Sequence, residues 1–318
     1  MNKIILEVIH ESERKPKDYH CTCKYCKQFI GELIRADGTH YSRNDRRAYY
    51  SPLEIASVSD PKMGHFAKTP LHIARWAVQQ YTKKGDWVLD PTVGAGTTMV
   101  EALTHSRNAV GVELQFSPIT KANAESAAAR TGGKYAVIQG DARNITEHLT
   151  KLKVPAPFSL IVNNPPYWGD QSQKAQKGSI YAYDKDLNNL AFLKEGAPYF
   201  EMMGKIYFDC IKFLRKGGHF VIGIKDQMRQ HKPDYLHEKL GDVITNIPGM
   251  KFVGTAVLRH YPTTLFLNTY EKRYNIRPPL FQSILVFKKE ETLKSAVLKN
   301  KIQEDHAKES MNRLSETV

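Results

Sequence analysis

Hydrophobic positions along the chain alternate between two periods. Over residues 69–86, TPLHIARWAVQQYTKKGD, apolar side chains fall at Leu71, Ile73, Ala74, Ala77, Val78 and Tyr81. That is the spacing of one helix face. The short apolar run WVLD, Trp87 to Asp90, then predicts a buried strand, and TTMVEALTHS the next helix. The alternation continues through strand NAVGVEL (Asn108 to Leu114), helix SPITKANAESAAART, strand YAVIQGD, helix NITEHLTKL and strand FSLIVNN. Ser117 is expected as a helix N-cap, with Pro118 at the first helical position. YFEMMGKIYFDCIKFLRKGG predicts a long helix stopped by its Gly pair, followed by strands HFVIGIKD and FQSILVFKK. Strands separated by helices predict an α/β fold with a doubly wound, mostly parallel sheet.

Three stretches fall outside this rhythm. Residues 1–60 are expected as an N-terminal extension carrying a cysteine cluster. Residues 168–198 are expected as a polar loop, and residues 226–280 mix basic and aromatic residues with turns. Residues 290–318 predict a charged helical tail. No apolar run approaches the roughly 20 residues a membrane helix needs. The start, MNKIILEVIHESERK, meets charge too soon for a signal peptide. A soluble, intracellular, cytoplasmic protein without a membrane partner is expected.

Charge sharpens that picture. The formal net charge is +13, and residues 61–289 alone carry 31 Lys and Arg against 18 Asp and Glu. The whole excess sits on the segment with the α/β pattern, which favours a polyanionic partner such as nucleic acid.

The chemistry gathers where strands end. WVLDPTVGAGTT places Asp90 at a strand end, then Gly94 and Gly96, then the helix N-terminus at Thr97 and Thr98. Glycines there let the backbone approach a ligand, and the free N–H groups can receive an anionic group. A lone G-x-G also marks a plain structural turn. The next strand ends at Glu113, an acid suited to ribose hydroxyls. The third ends at Asp141, placed to accept a bond from an adenine amino group. A dinucleotide site prefers G-x-G-x-x-G and a Walker loop needs G-K-[ST]; neither occurs. Three acid-ended strands fit a nucleoside with a cationic or zwitterionic tail, the description of S-adenosylmethionine.

After FSLIV the chain runs into NNPPYWGD. Two prolines end regular hydrogen bonding and stiffen the backbone there. A polar, aromatic lip of this kind at a strand mouth suits a binding role, although a simple turn has the same composition.

DPTVGAGTTMVEAL, GVEL, GDA and NNPPY, in that order, resemble the motif series of the amino-group DNA methyltransferases, which act on adenine N6 or cytosine N4. The motif order resembles the gamma arrangement, while the glycine loop is closer to the beta class. The resemblance covers roughly residues 62–289. It implies a Rossmann-like class I methyltransferase domain over 61–289, with S-adenosylmethionine as cofactor and DNA as partner. By that resemblance Asp90, Thr92, Gly94, Gly96, Thr97, Glu113 and Asp141 bind the cofactor, and Phe66, Lys68 and Thr69 line its methionine end. Asn164, Pro165, Pro166 and Tyr167 would be catalytic. The Asn164 oxygen and the Pro165 carbonyl would draw the amine protons out of the ring plane, and Tyr167 would stack on the flipped base. Asn at the head of the motif favours adenine; PPYWG is similar to the cytosine enzymes.

Lys225, Arg229, Arg259, Tyr261 and Arg273, with Trp168, are the expected nucleic-acid contacts, in or directly beside 168–198 and 226–280. Solvated surface would have the same composition. No recognition domain of a hundred residues is apparent, so either the target is short, or residues 1–60 contribute, or a partner supplies specificity; a cognate restriction nuclease is a further expectation. HCTCKYC supplies Cys21, Cys23 and Cys26. The sequence reading is reduced thiols and no metal, with zinc held by these three and His20 or His40 as the alternative. Cys210 is expected in the core. Two other functions stay open: an RNA amino-methyltransferase, and a non-catalytic nucleic-acid-binding subunit.

Overall fold

The computed structural model describes residues 8–11, 21–35, 69–154, 157–167, 196–229, 232–259, 271–275 and 279–291. Among the described residues its centre is a nine-stranded sheet in the order β1 (Val8–Glu11), β2 (Phe29–Arg35), β10 (Met250–Arg259), β11 (Phe281–Lys289), β7 (Leu214–Lys225), β6 (Phe158–Asn163), β3 (Trp87–Asp90), β4 (Asn108–Glu113) and β5 (Tyr135–Gln139). Five neighbours, β7 (Leu214–Lys225), β6 (Phe158–Asn163), β3 (Trp87–Asp90), β4 (Asn108–Glu113) and β5 (Tyr135–Gln139), run parallel. β11 (Phe281–Lys289) lies antiparallel between β7 and β10 (Met250–Arg259). The expected doubly wound, mostly parallel sheet is present.

The strands are apolar on both sides because helices cover both faces. Side chains alternate, so Val88, Leu160 and Val162 pack with Ile73, Met99 and Leu103 on one face. Leu89 and Ile161 point the other way, into a cluster with Met203, Ile206, Leu240 and Ile244. The first face is covered by α2 (Leu71–Tyr81), α3 (Thr97–Thr104) and α4 (Ser117–Thr131). The second is covered by α5 (Ile145–Leu152), α6 (Gly196–Lys212) and α7 (Leu236–Thr245). A buried bidentate pair, Arg75 Nε and Nη2 donating to Glu101 at 3.0 and 2.9 Å, ties α2 to α3.

The structure departs from the sequence reading at four places. The long helix stops at Lys212, before the Gly pair, and Leu214 already opens β7. Buried Lys289 causes this: its Nζ donates to the carbonyls of Ile211 and Leu214, both at 2.6 Å, and so closes the helix end. Gly217 takes a left-handed φ of 77° inside β7, where pairing with β6 shifts register between Phe158 and Leu160. The N-terminal residue of α4 is Ser117, and Phe116 is its N-cap; Glu113 Oε1 accepts the N–H groups of Gln115 and Phe116 in place of a Ser117 cap.

The stretch 226–280 holds α7, β10 and the small hairpin of β8 (Gln227–Arg229) and β9 (Lys232–Asp234), where only basic and aromatic turns were expected. The register of β10 against β11 shifts between Phe252 and Gly254, and a Cβ at Gly254 would lie 2.3 Å from Ile30 Cγ2 on the neighbouring strand. That strand, β2 (Phe29–Arg35), pairs parallel with β10. β1 (Val8–Glu11) adds antiparallel to it, so residues 8–11 and 29–35 of the expected N-terminal extension are strands of the sheet. Most of the 168–198 loop and the tail beyond residue 291 lie outside the described residues. Among the described residues, no helix is long and apolar enough to cross a membrane.

Replacing Lys289 by Met leaves two buried carbonyls without their donor. Urea denaturation should show a loss of roughly 2 kcal/mol. A change below about 0.5 kcal/mol would contradict the helix-stop role.

Candidate functional site

β3, β4 and β5 follow one another in one direction across the sheet, while β6 and β7 lie on the other side of β3. The switch point therefore falls between β3 and β6, paired through Val88 with Leu160 and Leu89 with Ile161. Ligands of open α/β sheets bind in the crevice at the carboxyl ends of such strands. Asp90 ends β3 there, and Asn163 ends β6.

Asp90 is buried and its carboxylate is committed to the loop. Oδ1 accepts from Thr92 N–H and Asn163 Nδ2, each at 3.1 Å, and Oδ2 accepts from Thr98 Oγ1 at 2.7 Å. Burial pushes the Asp90 carboxyl up to about 6, against these three donors, which hold it down. Asp90 thus shapes the cradle. Between it and α3 the chain turns on Gly94 (φ 55°) and Gly96 (φ 94°), both left-handed. Thr97, the first residue of α3, is buried.

Glu113 ends β4 beside this loop. Its Oε2 accepts from Gly94 N–H at 2.9 Å, so the acid braces the glycine turn directly. Asp141, past the end of β5, accepts from Arg143 N–H at 2.9 Å and pairs with the Arg143 guanidinium. Burial works to raise the Asp141 carboxyl, but the Arg143 donors outweigh it and hold it below the usual carboxylate value. Thr69 is described, half-buried ahead of α2; Phe66 and Lys68 lie outside the described residues.

The N-P-P-Y lip leaves β6 at the switch point. Asn163, the residue before it, is fully buried: Nδ2 donates to Asp90 and, at 2.7 Å, to Thr92 Oγ1, while Oδ1 accepts from Tyr207 OH at 2.9 Å. Asn164 is half-buried, and its Oδ1 sits over Gly223 of β7, where a Cβ would come within 2.1 Å. Gln282 Nε2 approaches the same oxygen at 3.4 Å. Tyr199 OH donates to the Pro166 carbonyl at 2.8 Å. Burial raises the Tyr199 phenol well above its ordinary value, which keeps it a donor. Tyr167 OH accepts from Lys225 N–H at 3.2 Å, pinning the aromatic ring to the end of β7.

Asn163, Tyr199, Tyr207, Gly223 and Gln282 are the supports that sequence reasoning missed. Gly223 was visible as a glycine inside a buried strand, a sign of close approach. The others show only when the strands are ordered.

The expected nucleic-acid residues divide. Arg259 is tied into the sheet: its Nε donates to Glu32 at 3.0 Å, with both side chains about one-tenth exposed, and its guanidinium lies 4.8 Å from the Phe281 ring centre. It is a strut between β10 and β2. Arg229 pairs with Asp234 at 2.8 Å across the β8–β9 hairpin. Arg273 is exposed, and Lys225 is half-buried beside Tyr167. Trp168 and Tyr261 lie outside the described residues. Cys21, Cys23 and Cys26 gather around His237, at the start of α7. His237 holds the position that the zinc alternative gave to His20 or His40, and those two lie outside the described residues.

Residues 8–123 match a family model described as DNA methylase, N6_N4_Mtase. The type II methyltransferase M.MthZI of Methanothermobacter thermautotrophicus is 46% identical over 51 residues, 16% of this chain and 14% of that protein. The type II methyltransferase M.BglI of Bacillus subtilis is 44% identical over 59 residues, 19% of this chain and 17% of that one. The aligned stretch is less than a fifth of the length of either relative. Among solved structures, an rRNA methylase from Streptococcus thermophilus aligns with a TM-score of 0.39 and 11% identity, over 71% of this chain and 99% of that one. A TehB-like SAM-dependent methyltransferase from Corynebacterium glutamicum aligns with a TM-score of 0.36 and 13% identity, over 68% and 87%.

An acid whose folded pKa lies above its unfolded value binds its proton more tightly in the folded state. The stability this gives Asp90 is complete below about pH 4 and is lost as pH rises through about 6. The stability of the wild type relative to Asp90→Asn should therefore fall between these pH values, by up to about 3 kcal/mol. A difference that stays flat with pH would remove the assignment.

Proposed function

We propose that the chain is an S-adenosylmethionine-dependent methyltransferase acting on the exocyclic amine of a flipped base in DNA, adenine N6 in the first instance. The observation that carries this reading is the seat of Asn164: a carboxamide oxygen over a glycine of the adjacent strand, at the switch point, beside a glycine loop braced by two acids.

The residues suit the cofactor. Glu113 keeps acceptor capacity on Oε2, which takes a single hydrogen bond among the described residues. That capacity fits ribose hydroxyls. Asp141 carries Arg143, so an adenine amino group has to share or displace that partner. The left-handed turns at Gly94 and Gly96 leave backbone without side chains along the crevice. When bound, S-adenosylmethionine supplies an electrophilic methyl group on a sulfonium.

The chain's own task is to make a poor nucleophile react. An exocyclic amine shares its lone pair with the ring. Asn164 Oδ1 and the Pro165 carbonyl accept its two N–H bonds and draw the lone pair out of conjugation. The acceptors are set before the base arrives, so little reorganisation is left for the reaction itself. Tyr167, pinned through its hydroxyl, offers a face for the base. A paired base cannot reach such a seat, so it has to leave the stack. Arg273 and Lys225, with the positive excess of 61–289, attract the phosphates.

Asn164→Ala should lower methyl transfer at least about 100-fold while cofactor affinity stays within about twofold. Gly223→Ala should have the same signature, because its methyl group displaces the Asn164 oxygen. Full activity in both variants would contradict the mechanism.

A further inference from the structure

Cys21, Cys23, Cys26 and His237 come together from segments more than 210 residues apart, with their ligand atoms all within 4.8 Å of one another. His237 Nε2 lies 3.6, 3.3 and 3.3 Å from the three sulfurs in turn. No disulfide joins the cysteines.

The arrangement suits a cation better than it suits hydrogen bonding. Both Asp226 oxygens lie close to His237 Nδ1, at 2.8 and 2.7 Å. With the proton on Nδ1 directed at that carboxylate, Nε2 presents one lone pair. One lone pair serves one S–H donor, yet three sulfurs converge on it. Tetrahedral zinc with ordinary Zn–S and Zn–N bonds places sulfur and nitrogen about 3.6 Å apart, close to the spacing found. The carboxylate behind the imidazole is the usual outer partner of a metal-bound histidine. Cys26 N–H also points at Cys23 Sγ, at 3.4 Å, a donor for a sulfur that carries negative charge.

We infer that these four residues form a tetrahedral Cys3His zinc site that fastens the segment before β2 to the start of α7. Loading releases three thiol protons to solvent and leaves the imidazole neutral, so the four ligands and the ion carry one net negative charge. The site closes a loop of more than 210 residues. It also reaches the lip: Asp226 follows Lys225, whose N–H holds the Tyr167 hydroxyl. The inference is independent of what the crevice catalyses.

The full-length chain, purified without chelators, should contain about one zinc per molecule by mass-spectrometric metal analysis. Replacement by cobalt(II) should give the visible absorption of a tetrahedral thiolate site. Cys23→Ser and His237→Ala should each lower zinc content at least tenfold, while Cys210→Ser, a core thiol, should leave it unchanged. If the ligand variants fail to fold, Asp226→Asn keeps all four ligands and should weaken zinc retention against a competing chelator about 10- to 100-fold. Folded wild-type protein without zinc, a disulfide within the cluster, iron in place of zinc, or unchanged retention in Asp226→Asn would overturn the inference.

Discussion

The carboxamide of Asn163 holds the crevice together. It is the last residue of β6, and it donates to Asp90 on β3 and to Thr92 in the glycine loop while accepting from Tyr207 on α6. One buried side chain thereby joins the two strands of the switch point, the loop and the helix covering the other face. Tyr207 lies too deep to ionise, so its hydroxyl remains a donor and orients the amide. Everything beyond it, Asn164 first of all, inherits its position from this knot. The cost is a carboxylate buried at Asp90, held up towards pH 6 and satisfied by three donors. Such networks stabilise only when every partner is present.

The same economy appears at the sheet's other strands. Glu113 turns the chain into α4 and braces Gly94 with its second oxygen, so one acid fixes two loops. Gly223 serves by having no side chain. Lys289 ends α6 from across the sheet. In each case a residue of one strand sets the geometry of a neighbouring loop or helix. A crevice at strand ends can therefore be built before any ligand arrives.

Much of this was legible in the sequence because the apolar runs from Trp87 to Lys289 carry strong periods and clear punctuation. The acids that end β3 and β4, and Asp141 just past β5, could be read directly, as could the prolines after Asn164. The supports could not. Asn163, Tyr199 and Tyr207 meet their partners only through strand order, which no local pattern encodes. The Gly pair at 217 and 218 resembled a helix stop because the true stop, Lys289, lies more than seventy residues away. β10 was hidden by Gly254 and by the basic cluster at its end, and Arg259 looked like a phosphate contact because its partner Glu32 sits near the other end of the chain. The fourth member of the cysteine cluster was missed for the same reason: His237 is more than 210 residues from Cys26.

The most direct test is to incubate the purified chain with methyl-labelled S-adenosylmethionine and, separately, mixed-sequence duplex DNA and total RNA, then to digest each to nucleosides and identify the labelled one. The account predicts label in N6-methyladenine from DNA. Label confined to RNA, or none in either polymer from protein that binds the cofactor, would contradict it.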